Sequence, residues 1–345
     1  MFLRTARQRF IPAPAPVPHE AVIRVRQDTL LGDGRCGLHQ RATVLRIPGR
    51  GPVPTIVIGG FVPDATESVF LLREQLVHQG DVYCLNYPCA GFSTDLFLAQ
   101  LDDLVEELAV LRGREPVVLS VSFGAGLALE WLRRRLGGGS HAIRGLVLVS
   151  PVACVEDLMA GGGAKPSTLL GRAIQPYLGG DRVDEKVVER SRTIFGKMFE
   201  SGAQNKDALA GIMTPAELGF LKDRVLGTIR GIDFRGACER VDALKAMHSP
   251  SSYFLPGILP LAEVPTLVLY AEKEDSVLDE GSPTRSSLLR SLLAYFPKGR
   301  CLQVRNRGGS PVQHASLIFH VANFRPLIAS FYVGLRKGRF GREAA

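Results

Sequence analysis

Ser122 has a sequence environment that suits a reactive hydroxyl. It follows the apolar run Val117–Ser120 and precedes a helical pattern that begins at Phe123, with Gly124 and Gly126 close behind. A strand that turns directly into a helix exposes a serine at the apex, and the helix N-terminus directs amide hydrogens towards whatever binds beside it. The turn lacks the patterns Gly-x-Gly-x-x-Gly and Gly-Lys-Ser/Thr, so it favours a nucleophile over a phosphate site.

A serine hydroxyl needs a histidine base that is oriented by a carboxylate. His314 and His320 are the two of the seven histidines that follow the last predicted strand, Cys301–Arg305. His314 lies in a glycine-rich loop just before a helical pattern, which is where the α/β-hydrolase superfamily, which this sequence resembles, has its base. The resemblance makes His314 the preferred base. His320 falls within that helical pattern, where a structural role is the simpler interpretation.

The segment around Ser122 resembles the nucleophile elbow of the α/β-hydrolase superfamily, usually Gly-x-Ser-x-Gly, with Ser120 in the place of the first glycine. The loop Pro88–Ser93 is similar to the family's Pro-x-x-Gly-x-Ser loop. The resemblance covers about residues 40–155 and 260–330. It implies an acyl-transfer site in which the chain order is serine, acid and histidine.

The resemblance also implies an oxyanion hole. Gly59 and Gly60 follow the predicted strand Thr55–Ile58, at the place where the family often has His-Gly. Their flexibility lets the amide of Phe61 face the same point as the amide of Phe123. Two such donors stabilise a tetrahedral oxyanion, and each is worth roughly 2.7–4 kcal/mol.

The triad acid is expected after the strand Thr266–Ala271, where the sequence is similar to the family's Gly-x-x-Asp-x-x-Val. Counting from the end of the strand selects Glu274, whereas residue type and the trailing apolar Leu278 select Asp275. Asp275 is preferred and Glu274 is the alternative acid. Asp157, which follows an earlier strand, is a more distant candidate.

Apolar runs alternate with helical patterns, which indicates a mostly parallel sheet with helical crossovers. The resemblance implies that this is an α/β-hydrolase fold, and we expect an eight-stranded, mostly parallel sheet with a helical cap between the sixth and seventh strands. The predicted parts are a flexible basic, proline-rich arm (1–19), a core (20–154 and 261–335), a cap (155–260) and a basic tail (336–345). The predicted strands are Ala21–Arg26, Arg41–Ile47, Thr55–Ile58, Asp81–Asn86, Val117–Ser120, Gly145–Ser150, Thr266–Ala271 and Cys301–Arg305.

The chain has 42 Lys and Arg residues against 34 Asp and Glu, a formal net charge of +8. Residues 1–19 and 336–345 each carry +3, so the body between them is nearly neutral, which argues against nucleic-acid binding. No apolar run reaches the ~18 residues of a membrane helix, so no stable membrane insertion is expected. Six scattered cysteines without zinc-like spacing favour a cytoplasmic protein, and no cofactor or metal is implied.

These features predict a serine hydrolase that cleaves a carboxylic ester or thioester of a small-molecule acyl substrate through an acyl-enzyme. Its catalytic residues would be Ser122, His314 and Asp275 (or Glu274). The resemblance implies that dehalogenases and epoxide hydrolases of this fold use aspartate at the elbow, so a serine argues against both. An acyltransferase with the same triad and a non-catalytic ligand-binding member of the fold are the alternatives.

Overall fold

The sheet has eight strands in the order β1-β2-β4-β3-β5-β6-β9-β10. In this computed structural model the described residues are 13–32, 38–135, 142–160, 165–179, 184–203, 212–255 and 257–338. The two strands β1 and β2 are antiparallel to their neighbours, and the other six are parallel. The sheet strands are β1 (Val17–Pro18), β2 (Thr43–Ile47), β3 (Thr55–Ile58), β4 (Val82–Asn86), β5 (Val117–Val121), β6 (Gly145–Val149), β9 (Thr266–Ala271) and β10 (Gly299–Val304).

Helices cover both faces of the sheet. In β5, Val118 packs into one hydrophobic layer with Trp131, while Val117 and Leu119 pack into the opposite layer with Phe324. The core helices are α1 (Val25–Gly32), α2 (Ala65–Ser68), α3 (Arg73–Val77), α4 (Thr94–Glu106), α5 (Phe123–Arg134), α10 (Pro283–Arg290), α11 (Leu292–Tyr295) and α12 (Val321–Arg336). A π-helical turn, Glu107–Leu111, extends α4. Among the described residues, no helix combines the length and hydropathy needed to cross a membrane.

A helical insertion separates the sixth and seventh strands of the sheet, β6 and β9. It contains the helices α6 (Leu169–Leu178), α7 (Glu185–Ala203), α8 (Pro215–Gly231) and α9 (Phe234–Ala246). Two short 3-10 helices (Val155–Leu158 and Pro250–Tyr253) flank these four, and a small hairpin, β7 (Met159–Ala160) with β8 (Lys165–Pro166), precedes α6. The predicted fold, an eight-stranded and mostly parallel sheet with a cap at this position, is confirmed.

The predicted first strand, Ala21–Arg26, is wrong, although the number of strands is right. The outer strand is Val17–Pro18, which pairs with β2, and most of the predicted stretch leads into α1 instead. The buried Gln27 side chain donates a hydrogen bond to Asp103 on α4, at 3.0 Å, and this contact fixes the helix against the core. The pairing at Val17–Pro18 also places the end of the predicted flexible arm in the sheet; residues 1–12 and 339–345 lie outside the described part of the chain.

Candidate active site

Ser122 occupies a sharp turn between β5 and α5. Its φ is +53°, a conformation that crowds the Cβ of an L-residue and persists only when the surroundings impose it. The Ser122 N–H donates to the Val149 carbonyl at 2.8 Å, and its own carbonyl accepts from the Val152 N–H at 3.1 Å. The turn therefore holds the hydroxyl at the carboxyl edge of the parallel strands.

Two glycines behind the serine allow the helix to approach the sheet closely. A Cβ at Gly124 would lie 2.2 Å from the Gly59 carbonyl oxygen, and one at Gly126 would lie 2.0 Å from the Val152 carbonyl oxygen. Only glycine fits at such distances. Ser120, in the place of the family's first glycine, is fully buried.

His314 lies in the loop between β10 and α12 and joins Ser122 to Glu274. Its Nε2 is 2.9 Å from Ser122 Oγ, and its Nδ1 makes a close hydrogen bond with Glu274 Oε2. The His314 and Glu274 side chains are 6% and 1% exposed, so bulk water is largely excluded from both contacts. This order of groups can take a proton from the serine and balance the charge that forms on the ring.

The carboxylate beside His314 is that of Glu274, which corrects the preference for Asp275. Lys273 N–H donates to the Val312 carbonyl at 2.8 Å, which holds the segment after β9 beside the histidine loop. A turn begins at Glu274, whose carbonyl accepts from the Leu278 N–H at 2.7 Å. Lys273 and Asp275 are exposed and Glu274 is buried; no hydrogen bond or ion pair joins Asp275 to His314 within the described ranges.

Ser150 positions the carboxylate of Glu274. One carboxylate oxygen, Oε1, accepts hydrogen bonds from the Ala271 N–H at 2.5 Å and from Ser150 Oγ at 2.8 Å. Ser150 Oγ also accepts from the Ala315 N–H at 3.3 Å, so this one hydroxyl connects both loops of the site. The sequence analysis missed Ser150, although a polar residue at the carboxyl end of a strand next to the elbow is a usable signal.

The remaining candidates serve other contacts. Asp157 accepts from Ser282 Oγ at 2.6 Å and helps to fix the start of α10. His320 is buried at the start of α12 with its Nδ1 3.0 Å from Ser316 Oγ, and burial lowers its pKa. In the part of the chain that the structure describes, neither residue is hydrogen-bonded to His314.

Phe61 and Phe123, the two residues expected to form the oxyanion hole, both lie next to the serine turn. Phe61 belongs to the segment Gly59–Pro63, called the glycine loop below. A Cβ at Gly60 would lie 3.4 Å from Ser122 Cβ, and the rings of Phe61 and Phe123 pack with centroids 4.3 Å apart. Neither amide N–H has an acceptor among the described residues, so both are available to a bound oxygen.

A largely apolar cavity of about 200 Å³ opens over Ser122 and His314. The core supplies its floor, which carries Ser122 and His314, and the cap supplies much of its wall. The cap side chains that line it come from α6, α7 and α8, and include Leu170, Phe195, Met198, Phe199 and Val225. Within the described residues, no group of three or more His, Cys, Asp or Glu residues could hold a metal ion.

Comparisons with known proteins agree with this architecture. The esterase from Thermogutta terrifontis is 15% identical, with a TM-score of 0.55 over 85% of this chain and 94% of its own. An esterase from Exiguobacterium antarcticum is 14% identical, with a TM-score of 0.55 over 85% and 96% of the two chains. An epoxide hydrolase from Bacillus megaterium is 10% identical, with a TM-score of 0.57 over 84% and 96%.

Identities this low establish the shared fold alone, and no curated protein sequence matches the chain. The sequence profile of the alpha/beta hydrolase family, however, matches residues 47–321. That range contains the serine turn, the carboxylate and the histidine described above. Because the match spans most of the sequence, the chain belongs to the alpha/beta hydrolase family.

Proposed function

We propose that this protein is a serine hydrolase that cleaves a carboxylic ester or thioester, with Ser122 as nucleophile, His314 as base and Glu274 as the orienting acid. The observation that carries the proposal is the continuous hydrogen-bonded line from Glu274 through His314 to Ser122 Oγ, under an apolar cavity. A merely structural serine would not need a strained turn, a buried histidine partner and an open cavity together.

The reaction follows from these contacts in two steps. Ser122 Oγ attacks the acyl carbon while His314 Nε2 takes its proton, and the carbonyl oxygen becomes an oxyanion that the amides of Phe61 and Phe123 stabilise. The protonated ring then gives the proton to the leaving alcohol or thiol, which departs and leaves an acyl-enzyme. Water, deprotonated by the same ring, attacks the acyl-enzyme and releases the acid and Ser122.

Glu274 orients the ring. Its Oε1 is already saturated by the Ala271 amide and the Ser150 hydroxyl, so only Oε2 faces His314. That arrangement selects the tautomer with hydrogen on Nδ1 and leaves Nε2 free to accept from Ser122. Serine at the elbow supports acyl chemistry rather than the aspartate chemistry of epoxide opening.

Labelling with a fluorophosphonate probe tests the nucleophile. We expect the folded wild type to be labelled and Ser122→Ala to be unlabelled. Ser276→Ala is the matched control, because Ser276 lines the same cavity but lies outside the hydrogen-bonded line. Absence of label on the folded wild type, or full label on Ser122→Ala, would overturn the proposal.

The cavity size favours a compact acyl group. Pockets for drug-sized ligands usually measure roughly 300–1,000 Å³, and this one measures about 200 Å³. We expect p-nitrophenyl acetate or butyrate to be hydrolysed with a higher kcat/KM than the laurate ester. A preference for laurate would contradict this part of the proposal. Adding an acceptor alcohol and following the new ester separates hydrolysis from acyl transfer.

A further inference from the structure

Arg240 is a buried cation that the reaction scheme above does not use. It lies on cap helix α9, is 1% exposed, and has no carboxylate within ion-pair distance among the described residues. Burial lowers its pKa, the nearby Asp64 carboxylate offsets only part of this effect, and taking a guanidinium out of water costs several kcal/mol. A buried cation of this kind must be stabilised by other interactions in the folded protein.

The guanidinium donates hydrogen bonds to two main-chain carbonyls of the core. Nη1 donates to the Phe61 carbonyl at 2.6 Å, and Nη2 donates to the Pro88 carbonyl at 3.3 Å. Its Cζ also lies 5.3 Å from the ring centroid of Tyr87, whose hydroxyl donates to the Gly59 carbonyl at 2.8 Å. Arg240 therefore acts on the glycine loop directly and through Tyr87.

These contacts hold the main chain both before and after the Phe61 amide. On its N-terminal side the Gly59 carbonyl is fixed by Tyr87, and on its C-terminal side the Phe61 carbonyl is fixed by Arg240. The Phe61 ring is wedged against Phe123 as well. The two anchored carbonyls belong to the peptide groups on either side of the one that carries the Phe61 N–H, so they limit the movement of that N–H relative to Ser122.

A second cap helix contacts the chain just after the glycine loop. Thr228 on α8 donates to the buried Glu67 carboxylate at 3.2 Å, and Arg224 Nε lies 3.6 Å from the same group. Glu67 Oε2 in turn accepts from the Asp64 N–H at 2.9 Å. The cap thus holds this segment from α9 and from α8.

A direct role for Arg240 in substrate binding fits the space less well. The cavity beside it measures about 40 Å³ and is otherwise lined mainly by apolar side chains. A water molecule needs ~10–15 Å³ of such space, so the cavity suits one or a few waters at the unpaired Nε rather than a substrate carboxylate with its carbon chain.

We propose that Arg240 is a positioning residue of the oxyanion hole: it holds the Phe61 carbonyl so that the Phe61 amide faces the reacting oxygen. The cap therefore contributes to the chemical step as well as to the cavity wall. This inference rests on the proposed function, since the Phe61 amide matters only if an oxyanion forms beside Ser122.

The test compares Arg240→Met with Arg235→Met. Arg235 lies on the same helix and also donates to a core carbonyl, that of Leu38, at 2.7 Å, but far from the glycine loop in the chain. With p-nitrophenyl butyrate, we expect Arg240→Met to lower kcat by roughly 10- to 100-fold with KM changed less than about threefold. Arg235→Met should stay within about twofold of wild type, and Arg240→Lys should lie between the two.

A trifluoromethyl ketone, which forms an oxyanion on the serine, supplies a second readout. Its affinity should fall in parallel with kcat in Arg240→Met and stay unchanged in Arg235→Met. The proposal is overturned if folded Arg240→Met keeps the kcat of Arg235→Met, or if its loss lies in KM alone. Should Arg240→Met fail to fold, a folded Arg240→Lys with wild-type kcat and ketone affinity overturns it. A folded wild type without fluorophosphonate label would instead refute the proposed function.

Discussion

Changing Glu274 to Gln should disable the site by reversing the histidine tautomer. The Gln carbonyl oxygen must take the Oε1 position, because the Ala271 N–H and the Ser150 hydroxyl both donate there. The new NH2 group then faces His314 Nδ1 as a donor. The ring must accept on Nδ1 and carry its hydrogen on Nε2, where it can no longer accept the proton of Ser122.

The opposite orientation of the Gln amide does not restore the site either. It would restore the acceptor for Nδ1–H but would set the NH2 group against the Ala271 N–H, leaving buried donors without acceptors at a cost of about 1–3 kcal/mol. The negative charge that stabilises the protonated ring is lost in both orientations. We therefore expect kcat/KM to fall by about 10³–10⁴, equivalent to roughly 4–5.5 kcal/mol of transition-state stabilisation.

Asp275→Asn is the matched control, since it makes the same chemical change one residue away on an exposed side chain. Its kcat/KM for p-nitrophenyl butyrate should stay within about twofold of wild type. Thermal unfolding verifies that both variants are folded. Equal losses in the two variants, or a folded Glu274→Gln that keeps a tenth of wild-type activity, would refute the assignment of the acid.

Three further changes test the supporting structure. Ser150→Ala removes a donor to Glu274 and should lower kcat/KM by about 5- to 30-fold, as measured by ester hydrolysis. Burial and neighbouring Glu67 raise the pKa of Asp64 to about 6. In the unfolded chain the same carboxyl loses its proton near pH 4, so the folded state becomes about 2 kcal/mol less stable as the pH rises from 4 to 7. Asp64→Asn should abolish that loss. The difference in urea-unfolding free energy between Asp64→Asn and wild type should therefore shift in favour of the variant as the pH rises from 4 to 7. Gly126→Ala places a Cβ 2.0 Å from a backbone carbonyl oxygen and should lower the unfolding free energy by about 3 kcal/mol or more.

Each of these has a clear contrary result. Unchanged turnover in Ser150→Ala would show that the Ala271 amide alone orients the carboxylate. A constant difference between Asp64→Asn and wild type from pH 4 to 7 would contradict the burial argument. A Gly126→Ala variant as stable as wild type would mean that the helix can move away from the sheet at little cost.

The positions of most strands along the chain and the place of the proposed nucleophile were predictable because they depend on local patterns. Runs such as Val117–Val121 are apolar on both faces, which only a covered parallel strand tolerates. The small residues beside Ser122 lie where the helix backbone passes close to the sheet, which leaves no room for a larger side chain. The cap was predictable as a long helical stretch, and local contacts fix the start of its helices: at α8 the Thr214 hydroxyl accepts from the Glu217 N–H at 3.2 Å.

The neighbour of His314 could not be read from the sequence, because the outcome depends on a pairing between distant segments. Lys273 meets Val312 across 39 positions, and that contact determines which of two adjacent carboxylates turns inwards. Similarly, the alternation in Ala21–Arg26 suits a strand, but the contact of Gln27 with Asp103 favours a helix in the folded chain. Arg240 gave no signal, since an arginine in an amphipathic helix ordinarily faces water.

The division of the cavity between core and cap has an evolutionary consequence. The groups proposed to break the bond lie on the sheet edge, whereas about half of the apolar side chains that line the cavity belong to the inserted helices. Substitutions in α6, α7 and α8 can therefore change which acyl group fits while the reactive groups remain in place. Arg240 is one of several cap side chains that contact the core, and it is the one hydrogen-bonded to the Phe61 carbonyl. Selection on substrate range and selection on catalytic power can thus act on separate stretches of this chain, with α9 as the segment where they meet.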